Sequence, residues 1–265
     1  MSSDLRRTTR VLNLARVAKN SYFARRCAAE ASHLRAQYWV IYMAHNDLIN
    51  AGVGIWGARV KNVLQRYPWT ADVLSLLLKT RMAGFLRASW NHNPVDRLDF
   101  ETRIEDFKLV QKFVAKNMIQ NIEAIRMMAE EDGAKLVLAT PLNNLFLNQE
   151  DPNNPFVKLF DSGRRRDAID ALKAIRDKDL LKVRATSILI DSIRDYAVQH
   201  PEVLFIDLEK KLEDWSVRTG EKIGCNLFSP PWGCDHIHPN FRLNKWIAAQ
   251  LSEVLERDMR GQLAR

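Results

Sequence analysis

Long apolar runs, dense cysteine spacing and low-complexity tracts are all missing from this chain of 265 residues. With three Cys, ten Gly and nine Pro it is neither a disulfide scaffold nor a collagen-like or low-complexity chain. No run approaches the ~20 apolar residues that a membrane-spanning helix needs. The densest, 73–78, is followed at once by Lys79, Thr80 and Arg81. No internal repeat is present. The early residues contain no apolar h-region of a secretory signal, although their Arg- and Ser-rich, acid-poor composition also suits a transit peptide. What is there, 46% hydrophobic and 27% charged residues, describes a globular chain able to bury its own core.

The net charge of +8 is unevenly placed. Residues 1–36 carry Arg6, Arg7, Arg10, Arg16, Lys19, Arg25, Arg26 and Arg35 against Asp4 and Glu30, so +6 of the +8 lies there. No aromatic interleaving or nucleic-acid motif accompanies those charges, so no nucleic-acid partner is expected.

Short apolar runs at 11–14, 38–43, 135–140 and 203–207 alternate with helical patterns near 15–36, 102–131, 168–198 and 241–257. That alternation predicts an α/β fold, a mostly parallel sheet with crossover helices in a three-layer α/β/α sandwich. Asp132-Gly133 ends the second helical pattern, with the glycine placed for the left-handed position past the terminus. Two stretches depart from the rhythm. Residues 51–100 combine Gly52, Gly54 and Gly57 with Pro68, Pro94, three Trp and an amphipathic pattern at 71–89, which reads as an insertion or lid-like segment or as a helix on the domain edge. Residues 143–163 read as a surface loop. The expected organisation is a basic segment at 1–10 and one domain over 11–265.

In a parallel sheet ligands bind at the carboxyl ends of the strands, so the residues after each run matter most. They are Ala44-His45-Asn46-Asp47, then Pro141-Leu142-Asn143-Asn144, and, ahead of the last helix, Cys234-Asp235-His236-Ile237-His238-Pro239. A carboxylate three residues before an imidazole can accept from the ring Nδ1–H, leaving Nε2 as a general base. The same Asp-x-x-His spacing also serves a plain turn at a helix start. Asn46, just past a strand, can donate to a developing oxyanion or tie its own turn.

The run 40–47 resembles the Gly-x-Asn-Asp/Glu block of the SGNH (GDSL-type) hydrolases as bacteria carry them, with Ala44 in place of the glycine. Asp235-x-x-His238-Pro239 is similar to that family's Asp-x-x-His block, and 136–145 to its fourth strand and following loop. The resemblance spans about 11–255. It implies an ester (acyl) hydrolase or O-acyl transferase acting on an acylated small molecule, lipid or sugar. His238 would be the base, Asp235 its orienting carboxylate and Asn46 an oxyanion donor, with no cofactor and no metal. His45, Asn143 and His236 would flank the substrate. Residues 11–15 are like the family's second block, with Ala15 where a glycine N–H normally contributes. The family's opening Gly-Asp-Ser, whose serine attacks the acyl carbon, does not occur here. The first strand is therefore expected to be absent and the serine to lie outside this chain, through truncation or a later-assigned start. The alternative is a catalytically inactive binding module of the same fold.

Cys225 and Cys234 bracket a loop leading into Asp235, and their spacing permits a disulfide or two reduced thiols. Together with His236 and His238 they also offer ligand types that zinc accepts, in a spacing unlike the familiar zinc motifs.

Overall fold

The computed structural model describes residues 10–16, 19–49, 100–147, 151–178, 184–229 and 233–263. Residues 51–99 of the candidate segment 51–100, with its amphipathic pattern at 71–89, and residues 1–9 of the basic segment 1–10 therefore lie outside the described residues. Three parallel strands, β1 (Tyr38–Tyr42), β2 (Lys135–Ala139) and β3 (Leu204–Ile206), form one sheet in the order β1-β2-β3. Tyr38 pairs with Lys135 and Tyr42 with Ala139, while Val137 pairs with Leu204 and Ala139 with Ile206. This is an α/β fold. Among the described residues no helix is long and apolar enough to cross a membrane.

β2 is buried on both sides because its side chains alternate between two cores. Leu136 and Leu138 join one cluster, and Val137 and Ala139 the other. The first is closed by α1 (Ser21–Ala31), α3 (Phe100–Glu131) and α6 (Ser187–Gln199). On α3 the buried residues Phe107, Val110, Val114, Met118, Ile122, Ile125 and Ala129 recur at helical spacing, forming the stripe that packs there. The second cluster draws on α4 (Pro155–Asp161), α5 (Arg165–Asp177), α7 (Leu208–Thr219) and α8 (Phe241–Leu263). Each fully buried Leu, Ile or Phe of these layers contributes about 1.5–3 kcal/mol.

Local chemistry sets the helix limits. After α3 the Gly133 N–H donates to Glu130 and the Ala134 N–H to Ala129, with Gly133 at φ +73°, the paired bonds of a Schellman terminus. The expected helix 15–36 starts later, at Ser21, because Asn20 caps it by accepting from the Phe23 N–H at 3.3 Å. Residues 11–14 are not a strand: Val11 and Leu12 are exposed, and the Ala15 N–H is taken at 2.9 Å by the Asn13 side chain. A short apolar run without a neighbouring strand leaves its backbone groups to local turns. The pattern at 168–198 resolves into α5 and α6, since the Asp177 carboxylate accepts the Ser187 N–H at 2.8 Å and starts a new helix. Nor is 143–163 a surface loop throughout. Asn143 to Phe146 are buried, and Asn154-Pro155, a capping side chain followed by a first-turn proline, launches α4.

Candidate functional site

Because the strands are parallel, the segments leaving β1, β2 and β3 meet at one edge. The β1 segment enters α2 (His45–Ile49) through Ala44, an L-residue at φ +135°, in a region glycine prefers. His45 is 8% exposed, and its Nε2 lies 2.8 Å from the Leu142 carbonyl, so the ring donates there. Burial pushes the imidazole down to about 4, opposed by the Leu142 carbonyl and reinforced by the fields of His238 and Arg176. His45 is therefore a neutral tie between the β1 and β2 segments at neutral pH. Asp47, also buried, accepts the Ser21 N–H at 3.1 Å and the Ser21 hydroxyl at 2.5 Å, and Asn121 donates to that hydroxyl at 2.9 Å. This carboxylate pins the first turn of α1 to α2 and α3. Between His45 and Asp47 the Asn46 amide donates to the Lys19 carbonyl at 3.0 Å. The fold thus brings Lys19 to Asn46, whereas Ala15 is exposed and engaged with Asn13.

Behind the β2 and β3 segments lies a paired ionic cluster. Thr140 donates to Asp207 at 3.2 Å and accepts the Glu209 N–H at 3.0 Å. Glu209 also receives the fully buried Arg176 at 2.5 Å and Arg194 at 3.0 Å. Charges this buried persist because every carboxylate has a guanidinium partner. Asn143 is spanned on both sides by Ala185, accepting its N–H at 3.0 Å and donating to its carbonyl at 3.1 Å.

The segment before α8 is built from short-range bonds. Cys225 and Cys234 are joined in a disulfide, with Cα atoms 5.0 Å apart. Both sulfurs are therefore engaged with each other, which removes them as thiolate ligands. Among the described residues no group of three or more His, Cys, Asp or Glu side chains converges as a metal site would. Asp235 Oδ1 accepts the N–H of Ile237 at 2.9 Å and of His238 at 3.1 Å, and lies 2.9 Å from His238 Nδ1. Burial pushes the Asp235 carboxyl up, but those N–H groups and the His238 ring outweigh it and hold it at about 2. The carboxylate is ionised and the His238 side chain is 50% exposed, with Nδ1 placed to donate to Asp235. Asn240 then caps α8 by accepting the Leu243 N–H at 3.0 Å. His236 is half-buried, and its carbonyl accepts the Asn144 N–H at 2.9 Å.

The fold thus gathers Asp235 and His238 in direct contact, and ties His45 and Asn143 into the scaffold by backbone bonds. Sequence reasoning missed Asp47, Lys19 and Asn144. Asp47 was the one with a signal, being the acidic member of the Asn46-Asp47 pair. No protein-family model, no curated protein and no solved structure matches this chain.

Proposed function

We propose that this chain is an SGNH-type ester (acyl) hydrolase or O-acyl transferase unit of three-layer α/β/α architecture. In it His238 is the base, Asp235 its orienting carboxylate and Asn46 an oxyanion donor, and the attacking serine comes from outside these 265 residues. The carrying observation is the 2.9 Å contact between His238 Nδ1 and an ionised, backbone-clamped Asp235, with the imidazole half-exposed. A carboxylate so held fixes the tautomer and stabilises the imidazolium that forms when the base takes a proton. Two further features support the reading. Ala44 adopts φ +135° at the position where the family block has glycine, and apolar clusters lie on both faces of β2. The substrate class is an acylated small molecule, lipid or sugar.

The second reading, an inactive binding module of the same fold, is favoured by one observation. The Asn46 amide already commits one of its two N–H donors to the Lys19 carbonyl, so at most the second could serve an oxyanion. The DNA upstream of Met1, translated in frame, discriminates the two. Should it encode a strand ending in Gly-Asp-Ser, the longer chain is expected to turn over p-nitrophenyl acetate, with His238→Ala lowering the rate by about 10²–10⁴-fold. A closed frame, together with turnover unaffected by His238→Ala, would rule out the hydrolase reading and leave the binding module.

A further inference from the structure

His238 is half-exposed, so packing around its own ring does not fix its place; the segment that carries it must. Asn144, at the end of the β2 segment, is fully buried and reaches that segment twice. Its backbone N–H donates to the His236 carbonyl at 2.9 Å, and its side-chain Nδ2 donates to the Asp235 carbonyl at 2.8 Å. The same Nδ2 lies 3.5 Å from Cys234 Sγ, one residue earlier, where the disulfide anchors the chain. Residues 234–236 are thus held in succession by one asparagine. The next residues, Ile237 and His238, are those whose N–H groups close on the Asp235 carboxylate.

We propose that Asn144 is a positioning residue, clamping the Asp235 backbone so that its carboxylate faces the His238 ring. It touches no reacting atom and acts through Asp235. This role rests on the reading of Asp235 and His238 as the acid–base pair. An amide suits this site because its N–H reaches the half-buried Asp235 carbonyl without adding charge. Asn143 beside it is equally buried but bonds to Ala185 instead, which makes it a control matched in size, polarity and position.

The test is nuclear magnetic resonance on the full chain, following the Asp235 carboxyl carbon with pH. In the wild type the midpoint is expected at about 2. Asn144→Ala should carry it most of the way to the ordinary 3.8, while Asn143→Ala leaves it in place despite its own loss of stability. An unmoved midpoint in Asn144→Ala, or an equal movement in Asn143→Ala, overturns the assignment. If Asn144→Ala does not fold, exchange of the Asn144 side-chain NH₂ protons in the wild type decides. Protection matching that of the Ile237 and His238 amides supports the clamp, and free exchange overturns it. Asp235→Asn separates the two levels of the proposal. If it leaves the His238 Nδ1–H resonance unchanged, the acid–base pair itself fails. If it abolishes that resonance while Asn144→Ala has no effect, only the positioning role fails.

Discussion

The segment after β1 and the segment before α8 both carry an Asp and a His at the same sheet edge, yet they are held by opposite means. His45 and Asp47 are buried, and their partners are distant: the Leu142 carbonyl and Ser21. His238 and Asp235 are more exposed, and the partners of the Asp235 carboxylate described above are all within three residues. The difference teaches that residue type and motif do not distinguish a scaffold histidine from a proton-transfer candidate; the surroundings do. A buried imidazole kept neutral joins two strand segments. A half-exposed one, His238, instead takes its contact from the carboxylate three residues before it.

The sharpest way to break this comparison is at His45. His45→Ala removes a buried ring and leaves the Leu142 carbonyl without its donor, an expected loss of about 3–4 kcal/mol in denaturant unfolding. The pH dependence has a definite sign. The folded value of about 4 lies below the ordinary 6.5, so the unfolded chain binds the extra proton first. Stability is fully present above pH 6.5 and declines by about 3 kcal/mol as pH falls through 4. His45→Gln should flatten that decline. If its acid unfolding curve matches the wild type, His45 is not a buried neutral tie.

Next in size is Asp47→Ala, which leaves the buried Ser21 N–H and hydroxyl without their acceptor and should lose about 3 kcal/mol. Asp235→Ala, removing a turn cap at a more open site, should lose about 1 kcal/mol. Equal losses would erase the distinction between the two carboxylates. Reducing the Cys225–Cys234 bond should lower stability by about 2–3 kcal/mol. It should also speed amide exchange at Ile237 and His238, leaving the Asp47 amide, bonded to the Ala44 carbonyl, unchanged. Exchange accelerating equally in both segments would show that the disulfide does not act locally. The smallest effect on stability is expected for His238→Ala, within about 0.5 kcal/mol in thermal unfolding. A large loss there would make His238 a structural residue like His45.

Legibility tracked the range of the interactions involved. The stripe on α3 and its end at Gly133 could be read because helical spacing and a left-handed glycine are local properties. β2 was legible as a continuous apolar run. Residues 11–14 have equally apolar character, but a strand exists only beside another strand, and that condition is not written in four residues. The site divides in the same way. The three-residue spacing of Asp235 and His238 predicts their contact. Which of two adjacent asparagines binds the segment before α8 depends on partners 42 residues away for Asn143 and 91 for Asn144.

By itself, then, the sequence determined the α/β alternation, the helix terminus at Gly133 and the Asp235–His238 pairing, each governed by backbone geometry over a few residues. The tertiary structure set the strand order β1-β2-β3 and the register of each pair. It also decided that His45 is buried while His238 is open, and that Asn144 rather than Asn143 crosses to Asp235. Burial and long-range hydrogen bonds arise from how packed layers enclose a side chain, and that enclosure sets whether an imidazole is a buried tie or a half-exposed ring.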